Sequence, residues 1–177
     1  MKTDKFKDGL MDEYYRLFSP YKSRAIKLLE IGTYNNGFLE WAEDYFKEID
    51  LYGMDSSCRS MGEQNITLIQ ANQNDTKTLK EISEKYGDFD IIIDDASHFA
   101  KETENTFNVF WRNIKEGGVY IIEDWIVGYW NNTGENKKRE GMEKLIANLI
   151  IRKKELNIKN LEILLKEPLC SLACFYK

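Results

Sequence analysis

The sequence predicts an α/β protein with a mostly parallel sheet and helices on both of its faces. Short apolar runs bounded by turn residues alternate with amphipathic stretches at helical spacing, which is typical of βαβ units. The run over residues 90–95 carries Ile91-Ile92-Ile93 and is apolar on both faces, as a central parallel strand should be. With 177 residues, 42% of them hydrophobic, the chain can bury the core of a single domain over residues 1–177.

The apolar runs and their turn residues place the elements in order. Strands are expected over residues 27–31, 50–55, 66–71, 90–95, 119–123, 161–166 and 172–177. Helices are expected over residues 4–18, 38–46, 75–86, 100–114 and 139–156, the third of them capped by Asp75 or Asn74. Residues 1–25 would form an N-terminal helical cap segment, which either covers a ligand cleft or packs as an ordinary helix.

Charge and cysteine content exclude several classes of protein. The net charge is −5 and the pI is near 5.1, which argues against a nucleic-acid-binding protein, and the basic runs at 137–139 and 152–154 are short enough to be solvated surface. No apolar stretch reaches the roughly 18–20 residues that span a membrane, and no apolar run follows the N-terminus as in a secretory signal. Three cysteines without zinc-site spacing indicate reduced thiols and a cytoplasmic location.

A glycine turn lies between the first strand and the following helix, where open α/β sheets bind their ligands. Its glycines are Gly32 and Gly37, and Tyr34 occupies the position of the second glycine in a dinucleotide fingerprint. The pattern therefore favours a cofactor without a pyrophosphate. Asp55 closes the second strand, where a carboxylate can accept hydrogen bonds from both hydroxyls of a ribose.

Acidic pairs follow two strands that are expected to be neighbours. Asp94-Asp95 comes after the fourth strand and Glu123-Asp124 after the fifth, so their carboxylates would meet within roughly 5 Å at one edge of the sheet. Like charges so close require a cation or shared protons, and oxygen ligands favour Mg²⁺, with Mn²⁺ or Ca²⁺ as alternatives. Of the first pair, Asp95 is the preferred ligand. The structural alternative is that these acids cap helices or pair with Lys and Arg.

His98 is the single histidine of the chain and lies three residues after Asp95. An imidazole with an ordinary pKa of about 6.5 can accept a proton near neutral pH, so His98 is the candidate general base. The alternative interpretation is a structural or merely exposed histidine.

Leu28-Leu29-Glu30-Ile31-Gly32, the later Gly37 and Tyr52-Gly53-Met54-Asp55 resemble the class I S-adenosylmethionine-dependent methyltransferases. The resemblance implies a Rossmann-like, seven-stranded, mostly parallel sheet with a C-terminal antiparallel hairpin. It implies that the glycine turn holds the methionine part of the cofactor, that Asp55 holds the ribose, and that the loop after the third strand lies near the adenine. The cofactor-binding residues would be Glu30, Gly32, Asn36, Gly37, Asp55, Asn72, Gln73 and Asp94.

Residues 89–98, 117–124 and 129–130 are similar to the metal-dependent sugar O-methyltransferases of macrolide biosynthesis, of the macrocin and mycinamicin type. Cephalosporin-hydroxylase-like proteins share much of the pattern. The resemblance, which covers about residues 26 to 130, implies that Asp95, Glu123 and Asp124 hold Mg²⁺ and that His98 is the base. Tyr129 and Trp130, together with Trp125, are candidates to stack on a sugar ring; the alternative is that these aromatic side chains belong to the hydrophobic core.

Four hypotheses stay open on the sequence alone. The preferred one is Mg²⁺-dependent O-methyl transfer from S-adenosylmethionine to a sugar or another small molecule with vicinal hydroxyls. The alternatives are a metal-independent methyltransferase for another small molecule, a dinucleotide-dependent oxidoreductase, and a non-catalytic binding domain of the same fold. The preferred hypothesis implies neither a nucleic acid nor a membrane as partner, and it leaves a homodimer open.

Overall fold

The structure is a computed structural model that describes residues 3–6, 9–57, 65–127, 141–166 and 170–177. The strands are β1 (Ala25–Ile31), β2 (Glu48–Asp55), β3 (Ile66–Gln70), β4 (Phe89–Asp94), β5 (Ile114–Glu123), β6 (Asn160–Lys166) and β7 (Cys170–Tyr176). The α-helices are α1 (Leu10–Phe18), α2 (Gly37–Tyr45), α3 (Thr76–Tyr86), α4 (Ala100–Phe110) and α5 (Glu143–Ile151). Short 3₁₀ helices cover Asp4–Phe6 and Trp111–Asn113.

The strands form one seven-stranded sheet in the order β3-β2-β1-β4-β5-β7-β6. Strands β1 to β5 run parallel to one another, and β7 runs antiparallel to both β5 and β6. The predicted fold class, a mostly parallel sheet that ends in an antiparallel hairpin, is confirmed.

Hydrophobic cores lie on both faces of the sheet. All six residues of β4 are buried, which explains the uninterrupted apolar run in the sequence. One core joins the sheet to α3, α4 and α5, and the other joins it to α1 and α2. Helix α1 buries five side chains in the second core, so it packs as an integral helix of the domain: Leu10, Met11, Tyr14, Leu17 and Phe18.

Some element boundaries differ from the prediction for identifiable reasons. Strand β5 begins at Ile114 instead of residue 119, because a register shift in its pairing with β4 and a left-handed Gly117 (φ 74°) let the chain pair before the glycines. The described part of the predicted 139–156 helix is helical only over Glu143–Ile151 and turns afterwards. Helix α3 begins after Asp75, whose side chain accepts a hydrogen bond from the Thr78 amide, as predicted.

Among the described residues, no helix combines the length and the apolar character needed to cross a bilayer.

Candidate active site

The site is a cavity of about 840 Å³ at the carboxyl ends of the parallel strands. The register produces this arrangement, because Asp94 at the end of β4 pairs with Ile31 of β1 and with Ile122 of β5. The residues that follow these strands therefore meet at one edge, where open α/β sheets bind ligands. The lining brings together most of the predicted site residues: Glu30, Gly32, Asp55, Asn72, Gln73, Asp95, His98, Glu123 and Asp124.

Gly32 brings the glycine turn into direct contact with the loop after β4. Its φ is 87°, and a Cβ added there would lie 2.2 Å from the carbonyl oxygen of Asp95 and 2.6 Å from Cα of Ala96. The Asp95 amide also donates a hydrogen bond to the carbonyl of Ile31 at 2.8 Å. Only glycine leaves room for this backbone crossing, so the two loops are held at a fixed spacing.

Asp55 braces the glycine turn from the end of β2. Its Oδ2 accepts hydrogen bonds from the amides of Thr33 (3.0 Å) and Tyr34 (3.3 Å), and its Oδ1 accepts one from the amide of Ser57 at 2.9 Å. The Asp55 carboxylate also lines the cavity.

Asn36 and Gly37 are buried at the start of α2, and neither is among the described residues that line the cavity. Asn36 has a left-handed backbone (φ 62°), and the Gly37 amide donates to Oδ1 of Asn35 at 2.9 Å. The structure thus places both residues where they shape the turn.

Asp94 is buried beneath the cavity and ties two loops together. Its carboxylate accepts hydrogen bonds from Nε2 of Gln73 (3.1 Å), from the hydroxyl of Tyr120 (2.9 Å) and from Thr106. Burial raises the pKa of Asp94 to about 7, although these donors act in the opposite direction. Because Gln73 also accepts from the Ser97 amide at 3.2 Å, Asp94 positions the Gln73 loop against the His98 loop.

The acidic cluster, defined as Glu30, Asp95, Glu123 and Asp124, surrounds one end of the cavity. Asp95, His98 and Asp124 each offer one ligand atom within 4.8 Å of the others. His98 (φ 57°) and Asp124 (φ 50°) have left-handed backbones, which cost non-glycine residues about 1–3 kcal/mol and occur most often at functional sites. The carboxylate oxygens of Asp95 and Asp124 suit the predicted Mg²⁺, and the third member of this group is His98, where the sequence predicts Glu123.

Lys5 enters the acidic cluster from the N-terminal 3₁₀ helix, a position that the sequence analysis missed. Its Nζ donates to Oδ2 of Asp95 and, at 2.6 Å, to Oε1 of Glu123, and it lies 4.0 Å from Oε1 of Glu30. The Tyr14 hydroxyl donates to the same oxygen of Glu123. Burial lowers the pKa of Lys5, but the three carboxylates outweigh it and hold the pKa well above its usual value.

Within the acidic cluster, Glu123 is buried beside a second carboxylate. Burial and the Asp95 carboxylate raise the pKa of Glu123 to about 8, against the opposing effects of Lys5 and Tyr14. The sequence predicts that the carboxylates at this edge need a cation, and Lys5 lies in the predicted cap segment. No local sequence pattern connects Lys5 with these carboxylates, because it lies 90 residues from Asp95.

His98 reaches the cluster with one ring nitrogen. Nε2 lies 4.0 Å from Oδ1 of Asp95, and the side chain is 30% exposed. Nδ1 is buried and has no hydrogen-bond partner within the described ranges. The imidazole is therefore placed between the cavity and the candidate metal ligands, as the base hypothesis requires.

The two predicted substrate residues, Tyr129 and Trp130, lie outside the described residues. Trp125 is half-buried at the end of β5 and packs against the core that contains α4 and α5.

Comparison with known sequences yields curated O-methyltransferases, whereas no protein-family model matches the chain. The chain is 34% identical over 129 residues to demethylmacrocin O-methyltransferase of Streptomyces fradiae, covering 68% of this chain and 33% of the relative. It is also 34% identical over 129 residues to mycinamicin VI 2''-O-methyltransferase of Micromonospora griseorubida, covering 68% and 32%. The chain spans about a third of the length of these relatives.

Comparison with solved structures supports the same relationship. The MycE methyltransferase of the mycinamycin biosynthetic pathway, solved in complex with Mg and SAH, superposes with a TM-score of 0.79 at 27% identity, covering 94% of this chain and 48% of that chain. A putative ribosomal RNA methyltransferase from Plasmodium falciparum, with a TM-score of 0.61 and 17% identity over 100% of this chain and 98% of that one, shares the fold alone. The chain therefore has the fold of the class I S-adenosylmethionine-dependent methyltransferases, and over two thirds of its length it resembles the macrocin- and mycinamicin-type O-methyltransferases.

Proposed function

We propose that the chain transfers a methyl group from S-adenosylmethionine to a hydroxyl of a sugar or of another small molecule with vicinal hydroxyls, in a reaction that uses Mg²⁺. The observation that carries this proposal is the convergence of Asp95, His98 and Asp124 within 4.8 Å beside a glycine turn braced by Asp55. Relatives named as O-methyltransferases of glycosylated compounds support the reaction class and the sugar acceptor.

The cavity has the size and the lining that the cofactor needs. Its volume of about 840 Å³ is within the roughly 300–1,000 Å³ of ligand sites. Glu30 and Gly32, shaped by Asn36 and Gly37, would hold the methionine part, and Asp55 would accept hydrogen bonds from the ribose. The adenine would lie against the loop of Asn72 and Gln73, which Asp94 supports from below.

Asp95, Glu123 and Asp124 would hold the metal. A divalent cation bound there would lower the pKa of the acceptor hydroxyl and favour a pair of hydroxyls on adjacent carbons. The negatively charged carboxylates of the acidic cluster would also attract the positively charged sulfonium of S-adenosylmethionine bound nearby.

His98 would accept the proton of the acceptor hydroxyl at Nε2. The hydroxyl oxygen then forms a bond to the methyl carbon while the carbon–sulfur bond breaks and its electron pair stays on sulfur. The remaining contribution of the protein is alignment of oxygen, carbon and sulfur, which can supply several kcal/mol. The backbone crossing at Gly32 supports that alignment because it connects the donor turn to the His98 loop.

Calorimetric titration with S-adenosylhomocysteine, with and without Mg²⁺, tests the cofactor first. We expect binding in both conditions, followed by methyl transfer from S-adenosylmethionine to glycosides with vicinal hydroxyls when Mg²⁺ is present. An absence of S-adenosylhomocysteine binding would contradict the proposal.

A metal-independent methyltransferase is a second candidate, favoured by the placement of Lys5. Its ammonium group already compensates part of the charge of Asp95 and Glu123. Full methyl transfer in excess EDTA would select this candidate over the first.

A further inference from the structure

Lys5 and the proposed metal use the same side chains. The ammonium group contacts Oδ2 of Asp95 and lies 2.6 Å from Oε1 of Glu123, and both residues belong to the proposed ligand set. Divalent cations bind oxygens at about 2.0–2.6 Å, so a cation on these oxygens would lie within a few ångströms of the ammonium group, and the two positive charges would repel one another. The inference below rests on the proposed metal-dependent function.

The two carboxylate oxygens of Asp95 face different groups. Its Oδ2 faces Lys5, whereas its Oδ1 faces Nε2 of His98 at 4.0 Å. A cation held by Asp95 and Asp124 would therefore lie beside the lysine charge. A cation that also used Glu123 as a ligand would lie still closer to Lys5, whose Nζ contacts Oε1 of Glu123, and the repulsion between the two charges would favour the departure of Lys5.

The element that carries Lys5 makes its departure feasible. Lys5 belongs to the three-residue 3₁₀ helix Asp4–Phe6, which precedes α1 and pairs with no strand of the sheet. Moving this turn breaks no strand pairing and leaves the five buried side chains of α1 in place. Glu123 would keep the hydrogen bond from the Tyr14 hydroxyl, which comes from α1 itself.

We propose that Lys5 is a built-in competitor for the metal: its ammonium group and a divalent cation exclude one another from Asp95 and Glu123, so that metal binding expels residues 3–6 from the cavity. Lys5 thereby sets the metal affinity of the site. If Lys5 holds the carboxylates in about nine molecules of ten, its removal raises the apparent metal affinity about tenfold.

The first test is calorimetric titration of Mg²⁺ and Mn²⁺ into the full chain and into Lys5→Met, at one fixed ionic strength. We expect Lys5→Met to bind metal about tenfold more tightly than the unmodified chain. Lys77→Met is the matched control, because Lys77 is 88% exposed and its loss changes the net charge equally. The control should shift the affinity by no more than about twofold, since exposed charges are screened.

The second test needs no substitution. Trypsin is applied to the unmodified chain with and without Mg²⁺, and mass spectrometry measures cleavage between Lys5 and Phe6. Lys5 is 5% exposed when it holds the carboxylates, so we expect slow cleavage without metal and faster cleavage with it. Cleavage after the exposed Lys77 is the internal control and should not change.

Equal metal affinity of the unmodified chain and Lys5→Met, with cleavage at Lys5 unaffected by metal, would overturn the inference and leave the proposed metal-dependent function standing. Absence of metal binding to every variant would overturn both the inference and the metal role. Binding of S-adenosylhomocysteine in the same samples reports separately on the methyltransferase assignment.

Discussion

Two regions of the molecule place carboxylates beside cations in very different surroundings. In the acidic cluster, Lys5 and Glu123 are 5% and 2% exposed. The second region lies between α1 and β6 and is called the edge network; it consists of Glu13, Arg16, Glu162 and Lys166. In this network Arg16 and Glu162 are 49% and 32% exposed. The distances are similar, 2.6 Å from Lys5 to Glu123 and 2.8 Å from Arg16 to Glu162, so the solvent makes the difference.

The pKa values of the carboxyl groups move in opposite directions in the two regions. Burial and the neighbouring Asp95 raise the pKa of Glu123, whereas hydrogen bonds from Lys166 and Arg16 lower the pKa of Glu13. The edge network thus satisfies its own charges and stabilises the fold slightly. In the acidic cluster a buried carboxyl group with a raised pKa lies beside a second carboxylate, and such perturbed groups are typical of ligand sites.

The largest expected effect is loss of the metal-dependent reaction in Asp95→Asn. Removing this carboxylate should cost several kcal/mol of transition-state stabilisation, because the metal loses a ligand. Methyl transfer is measured with Mg²⁺ and with excess EDTA. We expect the variant to match the EDTA-treated unmodified chain and to show no further loss in EDTA. Activity that still responds to Mg²⁺ in Asp95→Asn would exclude Asp95 as a necessary ligand.

His98→Ala should reduce kcat by about 10²–10⁴, the usual contribution of a general base. The affinity for S-adenosylhomocysteine should stay close to that of the unmodified chain, since His98 is not assigned to cofactor binding. Steady-state kinetics and calorimetry measure the two quantities. Arg16→Ala in the edge network is the control and should leave kcat unchanged. An unchanged kcat in His98→Ala would remove the base assignment.

The substitutions Lys5→Met and Arg16→Met compare how much the buried and the exposed cation contribute to the free energy of unfolding. Loss of Lys5 leaves buried carboxylates uncompensated, so we expect the free energy of unfolding to fall by about 3–5 kcal/mol, against about 0.2–1 kcal/mol for Arg16→Met. Chemical denaturation of both variants, without metal, measures the difference. Equal losses would show that burial does not distinguish the two regions.

Glu162→Gln should have the smallest effect, and that effect should depend on pH. Hydrogen bonds from Tyr176 and Arg16 outweigh burial and lower the pKa of Glu162. A carboxyl group whose pKa is lowered by folding stabilises the folded state at pH values above its ordinary pKa of 4.5. This stabilisation is lost as the pH falls through the folded-state pKa. We expect Glu162→Gln to cost up to about 1 kcal/mol at pH 7 and progressively less as the pH falls below 4.5, measured by denaturation. A cost that grows on acidification would contradict the assignment.

The parts of the fold that local sequence determines were predictable. The apolar run at Phe89–Asp94 predicted a central strand. Strand ends that share an edge predicted that Asp95, Glu123 and Asp124 meet, and all three line one cavity together with His98. The roles of the binding residues stay predictions. Lys5 was not predictable, because its partners are set by tertiary packing across 90 residues or more.

Boundary errors have a similar cause. Strand β5 begins before its glycines because pairing with β4 resumes after a register shift, and a one-dimensional pattern does not contain that pairing. The hydrogen bonds of Asp94 to Thr106 and Tyr120 likewise join residues from three separate segments.

The backbone crossing at Gly32 has a consequence for how such a domain could change its acceptor. Because main-chain atoms of the glycine turn lie against main-chain atoms of the Asp95 loop, the spacing of these two loops does not depend on side-chain size as long as residue 32 is glycine. Under the proposed function, differences in acceptor between such domains would arise in the segments around the crossing. The crossing itself keeps the spacing of the two loops constant.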